Sequence, residues 1–284
     1  MGALHTLLAQ IAERLHSVGI DAGIEEAELI VGHALGVERL DMYLASDQAL
    51  EDTVRQVIEE HVVRRVRREP LQYILGEAWF YGRRFGVNPS VMVPTPETEL
   101  LCEAGLGFLR FRGLSSARIL DIGAGSGVVC VTMALEAPTT QVVALDISSS
   151  ALEVARENAQ ALGGAGRIEF RQSDLFAALE PTERFDLILS NPPYISEEEY
   201  RELPPEVLAD PKVSLTAGEI GMDIIARLMD EAPPFLASEG KLMFEIGYNQ
   251  GELVRELTER DPHWRSIVIL RDLNDIDRVV ILSP

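Results

Sequence analysis

Residues 118–127 read Arg-Ile-Leu-Asp-Ile-Gly-Ala-Gly-Ser-Gly, a short apolar run that ends on three alternate glycines. The run has the length and the branched side chains of a buried strand, and the stretch 127–136 after it suits a helix. Glycines allow the backbone to turn sharply and to pass close to a ligand with no Cβ in the way. A strand, a glycine turn and a helix are the opening unit of a nucleotide-type α/β sheet, whose ligands bind beyond the carboxyl ends of its strands. The spacing G-x-G-x-G differs from the dinucleotide fingerprint G-x-G-x-x-G, where the third glycine comes one residue later.

Downstream the same alternation continues. QVVALD (141–146), RIEFR (167–171), FDLILS (185–190) and KLMFEI (241–246) are apolar runs of strand length, separated by helical stretches that include 149–162 and 221–236. Near-continuous apolar strands alternating with helices imply a parallel sheet covered on both faces. Two final strands, near 264–270 and 277–282, flank the polar RDLNDID and are predicted to form an antiparallel hairpin at the sheet edge. Upstream, residues 1–70 read as helices only. Leu4, Leu7, Leu8, Ile11 and Leu15 share one helical face, as do Val54, Val57, Ile58, His61 and Val62. The basic run Arg64-Arg65-Val66-Arg67-Arg68 ends that last helix as a solvated terminus or a docking patch. Residues 71–95 break into aromatics and glycines, with Phe80, Phe85 and Val87 suited to a hairpin, and Pro94, Pro96, Glu97 and Glu99 open a helix. The expected organisation is a helical domain over 1–70, a hairpin linker over 71–95 and a catalytic domain over 96–284.

Charge restricts the partners. Acidic residues outnumber basic ones by 46 to 25 in 284 residues, a net charge of −21. Proteins that track phosphate backbones draw affinity from Lys and Arg that displace counterions, so stable nucleic-acid binding is not expected. No apolar run reaches the ~18 residues of a membrane span. The opening MGALHTLLAQIAERL lacks a basic leader and carries its apolar residues at helical spacing, so no cleaved signal is expected. Cys102 and Cys130 sit in apolar contexts and read as small buried thiols of a reducing compartment, the cytoplasm. The five histidines are scattered without metal-ligand spacing, so no metal is expected.

The strand ends carry the chemistry. Asp146 closes the second strand of the series, where an acidic side chain can accept hydrogen bonds from ribose hydroxyls. The third strand leads to Ser173-Asp174-Leu175-Phe176; Asp174 suits an adenine amino group and Leu175 the flank of its ring. Asp121 suits orientation of the loop or of a ligand's amino-acid portion. The expected cofactor is S-adenosylmethionine, held by Gly123, Ala124, Gly125, Ser126, Gly127, Asp146, Asp174 and Leu175, with Asn191 beside them. The fourth strand runs directly into Asn191-Pro192-Pro193-Tyr194. An amide or exocyclic amine nitrogen is a weak nucleophile because its lone pair is delocalised. Two acceptors, the Asn191 side-chain oxygen and the Pro192 carbonyl, can hold its two N–H groups toward a methyl donor, a positioning effect. Consecutive prolines stiffen the turn and bring no competing donors. Tyr194 offers a flat surface on which the acceptor can stack. Catalytic roles are therefore expected for Asn191, Pro192 and Tyr194, and acceptor binding for Asn191, Pro192, Pro193 and Tyr194. The motif alone does not choose between an amide and adenine.

The order DIGAGSG (121–127), ALD (144–146), SDLF (173–176) and SNPPY (190–194) resembles that of the amino methyltransferases acting on glutamine N5 or adenine N6. Within that group the chain is similar over nearly all its length to the HemK/PrmC family. The similarity extends to the stretch EPLQYILGEAWFYGRRFGVNPSVMVPTPETELL (69–101), to SLTAGEIGMDII (214–225) and to FEIGYNQGELV (244–254). It implies a class I S-adenosylmethionine-dependent methyltransferase fold, a seven-stranded, mostly parallel, doubly wound α/β sheet behind a small N-terminal helical bundle. It also implies methylation of the glutamine in the Gly-Gly-Gln motif of peptide chain release factors, with the helical domain binding that protein substrate; a monomer is expected. Thr95 departs from the family, which has Arg between the two prolines. The rival readings are a ribosomal-protein glutamine methyltransferase, which carries a longer P-R-S-P-I string, and a nucleic-acid N6-adenine methyltransferase, which needs a basic surface and base extrusion. A non-catalytic adaptor would not need both the glycine loop and NPPY.

Overall fold

Leu4, Leu8, Ile11 and Leu15 fall on one face of helix α1 (Ala3–His16), and all four are buried. They meet Ala27, Ile30 and Val31 of α2 (Gly23–Leu35), Met42 of α3 (Arg39–Leu44), and Ile58 and Val62 of α4 (Asp52–Val66) in one apolar core. Helix α5 (Leu71–Leu75) closes this helical part. Val57, expected on the buried face, is exposed. The computed structural model describes residues 3–44, 50–114 and 116–284. Its contacts divide the chain into two units: Met1–Gly76 with Pro204–Ala209, and Glu77–Leu203 with Asp210–Pro284.

The basic run 64–68 is neither a solvated helix end nor a free patch. Arg65 is buried and pairs with Glu26 at 2.6 Å and with Glu206 at 2.7 Å. Arg68 pairs with the same Glu206 at 2.6 Å, and the Arg64 Nε donates to Glu69 at 2.8 Å. Arg67 alone of the four arginines is exposed. Three acidic partners, Glu26, Glu69 and the sequence-distant Glu206, are folded against the helix end.

In the second unit, strands β1 (Glu77–Phe80) and β2 (Arg83–Gly86) form an antiparallel hairpin. Phe80 and Phe85 are fully buried, edge to face at 6.1 Å, inside the main core. The division between units thus falls within the segment expected as a linker: α5 belongs to the first unit and the hairpin to the second. Helix α6 (Glu97–Arg112) follows. A seven-stranded sheet then builds up from β3 (Arg118–Ile122), β4 (Gln141–Asp146), β5 (Ile168–Gln172), β6 (Phe185–Ser190), β7 (Leu236–Glu245), β8 (Ser266–Arg271) and β9 (Asp277–Ser283). Its order is β5-β4-β3-β6-β7-β9-β8. The first five are parallel, and β9 runs antiparallel between β7 and β8, the edge hairpin that the sequence predicts. The crossovers carry α7 (Val128–Glu136), α8 (Ser149–Leu162), the single turns α9 (Glu197–Tyr200) and α10 (Pro205–Leu208), α11 (Asp223–Glu231) and α12 (Gly251–Arg260). The stretch 221–236 is not one helix. Pro233 and Pro234 supply no N–H to continue α11, and Leu236 already begins β7.

Adjacent strand residues point to opposite faces, and both faces are buried. Ile119, Leu187 and Met243 join one core, whereas their neighbours Leu120, Ile188 and Phe244 join the other. Chain order reverses between β3 and β6, and the carboxyl ends of strands at such a switch point open into the crevice where an α/β sheet binds its ligand. Among the described residues no helix is long and apolar enough to cross a membrane.

Candidate active site

The glycine turn after β3 is tied to the next strand. Gly123 and Ala124 both donate their N–H to the Leu145 carbonyl, at 2.8 and 2.9 Å, and Gly125 donates to Asp146 Oδ2 at 2.8 Å. Gly127 has φ +85°, and a Cβ there would stand 3.0 Å from that of Ala155 on α8, so position 127 excludes side chains on both counts. Asp146 Oδ1 accepts from Ser148 N–H at 2.8 Å. Each Asp146 oxygen therefore holds one backbone N–H and keeps a second lone pair for a ligand. Burial raises the Asp146 pKa, against the lowering effect of these N–H groups.

Asp121 stands behind the turn. Its Oδ2 accepts from Cys130 N–H at 2.9 Å, its Oδ1 is buried without a partner among the described residues, and burial pushes its pKa up to about 7. At the end of β5, Ser173 Oγ donates to the Leu175 carbonyl at 2.7 Å and accepts from Ala178 N–H at 3.0 Å. This holds Leu175 at φ +44°. Asp174 remains half-exposed, with Oδ1 paired to Arg227 at 2.9 Å.

One cleft collects these parts. Its lining includes Gly123, Ala124, Gly125, Ser126, Asp146, Asp174, Leu175, Asn191, Pro192 and Pro193. Gly127 and Tyr194 adjoin this lining: Gly127 turns the chain into α7, and Tyr194 follows Pro193. Val91, Met92 and Pro94 from the stretch before α6 contribute an apolar flank, and Pro211, Val213 and Ser214 supply another. The second flank is held by pairing across the loop: Ile195 N–H donates to Leu215 O at 2.9 Å and Ala217 N–H to Ile195 O at 3.0 Å.

Asn191 follows directly from β6, whose Ser190 hydroxyl donates to Ile122 O at 2.8 Å and fixes the two strand ends side by side. The Asn191 Nδ2 donates to Thr98 Oγ1 at 2.9 Å, and its Oδ1 has no partner among the described residues. Thr98 in turn donates to Glu245 Oε2 at 2.8 Å. The other oxygen, Glu245 Oε1, accepts from the Tyr194 hydroxyl at 3.1 Å. The half-buried Tyr194 packs its ring against the sheet core, and its hydroxyl is anchored. Burial together with the Glu245 charge raises the Tyr194 pKa far above its usual value. Burial also pushes the Glu245 carboxyl up to about 7, although Thr98 and Tyr194 favour its ionised form. Gln250, also buried, donates to the Tyr194 carbonyl at 2.8 Å and the Gly221 carbonyl at 3.1 Å, and accepts from Gly247 N–H at 2.9 Å.

Thr98, Glu245 and Gln250 escape sequence reasoning. Thr98 reads as part of a helix start, Glu245 as the polar end of a strand and Gln250 as a loop residue. Their spacing along the chain gives no sign that they meet.

The cleft has the acceptors and the glycine cradle that suit S-adenosylmethionine. Acidic side chains stand at the ends of β4 and β5, a glycine cradle lies at the end of β3, and apolar residues flank both sides.

Relatives place this architecture. Residues 6–76 match the PrmC N-terminal domain and residues 108–218 the Methyltransferase small domain. The chain is 39% identical to the release factor glutamine methyltransferase of Nitratidesulfovibrio vulgaris, over 98% of this chain and 94% of that protein. The chain belongs to the release factor glutamine methyltransferase family. It is also 41% identical to the protein of that name from Cereibacter sphaeroides, over 94% of this chain and 93% of the other. Among solved structures, a methyltransferase from Pyrococcus furiosus shares the fold with a TM-score of 0.52 at 20% identity, covering 72% of this chain and 90% of its own.

Proposed function

We propose that this chain methylates N5 of the glutamine in the Gly-Gly-Gln motif of peptide chain release factors, with S-adenosylmethionine as methyl donor. The observation that carries the reading is Asn191, which lines the cleft with its amide nitrogen committed to Thr98 and its oxygen uncommitted. An acceptor-only oxygen is what a primary amide needs to hold one N–H. The Pro192 carbonyl takes the other, so the substrate nitrogen is fixed in one plane for attack on the methyl carbon.

When bound, S-adenosylmethionine supplies a methyl carbon activated by a sulfonium sulfur. With it bound, the substrate N–C bond would form as the C–S bond breaks, S-adenosylhomocysteine would leave, and one amide proton would pass to water. Asp146 would hold the ribose hydroxyls with its remaining lone pairs, Asp174 would accept from the adenine amino group through its other oxygen, and Leu175 would flank the ring. The turn 123–127 would cradle the amino-acid portion. Tyr194 anchors the loop through its hydroxyl bond to Glu245.

The helical unit is the part we assign to docking the release factor, in keeping with the family domain matched over 6–76. The net charge of −21 argues against the adenine alternative, which needs affinity for a phosphate backbone. On this reading the enzyme acts as a monomer in the cytoplasm, alongside its translation-factor substrate. Incubation with methyl-labelled S-adenosylmethionine is expected to label a release factor and to leave one lacking the Gly-Gly-Gln glutamine unlabelled. Label on DNA, or on ribosomal protein in place of the release factor, would refute the assignment.

A further inference from the structure

A primary amide has nearly the same shape after its oxygen and nitrogen are exchanged, so shape alone does not decide which end of Asn191 faces the acceptor. The choice matters, because an NH2 group facing the substrate amide would oppose donor to donor. We propose that Thr98 and Glu245 are positioning residues that set this choice and so aim the Asn191 oxygen at the substrate nitrogen; the inference rests on the function proposed above.

The direction follows from counting protons. A carboxylate can only accept, so the Thr98 hydroxyl must spend its single proton on Glu245 Oε2, at 2.8 Å. Thr98 Oγ1 then has only lone pairs to offer Asn191, and the amide must turn its NH2 toward it, at 2.9 Å. The Asn191 oxygen is left for the cleft. Thr95 Oγ1, at 3.4 Å from Thr98 Oγ1, is too distant to compete. Both relay residues are almost wholly buried, Thr98 at 2% and Glu245 at 1% exposure, so water does not scramble the sequence of donors. Through its second oxygen Glu245 also receives the Tyr194 hydroxyl. One carboxylate on β7 therefore fixes the first and the fourth residues of Asn191-Pro192-Pro193-Tyr194.

Thr98→Val keeps the shape and removes the hydroxyl, whereas Thr98→Ser keeps the hydroxyl. Turnover on the release factor, the cofactor dissociation constant and the melting temperature are measured for both, beside the wild type. Thr98→Val is expected to lower kcat roughly 10- to 100-fold, as expected when a reacting group loses its alignment. Cofactor affinity should stay within about twofold, since the change leaves the β4 and β5 acids untouched, and Thr98→Ser should recover most of the rate. Glu245→Gln can accept at one partner only and must donate to the other, so it should lower kcat in the same way if Thr98→Val fails to fold. Wild-type kcat in folded Thr98→Val or Glu245→Gln would overturn the proposal, as would Thr98→Ser as impaired as Thr98→Val, or equal losses of turnover and cofactor affinity. A wild type that does not methylate the release factor glutamine would instead overturn the functional reading beneath it.

Discussion

Two acids buried beside the cleft, Asp121 and Glu245, have their pKa values raised to about 7 by burial. Arg278 on β9 attracts the Glu245 charge, Glu97 at the start of α6 repels it, and Thr98 and Tyr194 hydrogen-bond to it. A folded-state pKa above the unfolded value means that the folded chain binds protons more tightly. The stability these groups contribute is therefore fully present below the usual values of 3.8 and 4.5 and is lost as pH rises through about 7. Catalysis runs the other way for Glu245, because only its ionised form fixes the direction of the Thr98 relay. Thermal melts between pH 4 and 8 should show stability declining toward the upper end, while kcat rises across pH 7. Asp121→Asn and Glu245→Gln should each flatten part of the melting profile, and Glu245→Gln alone should remove the rise in kcat. A melting temperature that climbs steadily to pH 8 in the wild type would contradict these assignments.

Elements were legible where their signal is local. The strands from β3 to β6 announce themselves as apolar runs, the glycines force the turn before α7, and β8 with β9 reads as an edge hairpin. Boundaries set by distant partners were not: β7 begins at Leu236, before the apolar run at 241, because it continues to pair with Phe185 of β6 through an irregular register. The cradle and the Asn-Pro-Pro-Tyr loop could be found because glycine and proline carry their backbone consequences with them. The brace behind that loop could not, since Gln250 reaches Tyr194 only after the crossover through α11 and β7 has folded. Gln250 satisfies the Tyr194 and Gly221 carbonyls and the Gly247 N–H from a position that is 2% exposed. Gly221 packs so closely that a Cβ there would overlap the Tyr194 carbonyl. Gln250→Leu preserves bulk and leaves three backbone groups without partners, at a cost of about 1–3 kcal/mol for each group that water cannot reach. A drop of several degrees in melting temperature is expected together with a lower kcat. Loss of stability with unchanged kcat would show that the loop holds its geometry without this brace.

At the scale of the molecule, the division into units does not follow the order of the chain. Residues 204–209, which come shortly after the acceptor loop in sequence, belong to the helical unit with Met1–Gly76. Nothing in their composition announces this, and the basic run 64–68 gave only the donor half of the signal, a cluster of cations with too few acids beside it in the sequence. Glu206 supplies the missing half by accepting from both Arg65 and Arg68. Partial burial works against its ionisation, yet the two guanidinium groups outweigh that and hold its pKa down at about 2. Because this pKa is lowered, the stabilisation is present above the usual 4.5 and is lost as pH falls toward 2, opposite in sign to the cleft acids. Glu206→Gln leaves Arg65, only 5% exposed, with Glu26 as its remaining carboxylate partner. Removing one member of a buried ionic network commonly costs about 3–5 kcal/mol, and the surviving Glu26 pair together with the partial exposure of Glu206 should reduce that to about 1–2 kcal/mol. The loss should appear at pH 7 and shrink toward pH 3, where the wild type also begins to lose the carboxylate. A helical fragment 1–76 made alone lacks Glu206 as well, so it should be less stable than the same fragment to which residues 204–209 are restored by a flexible linker. Equal melting curves for the two fragments would mean that Arg65 and Arg68 gain nothing from Glu206, and that the helical unit is complete without the segment that the chain returns to it.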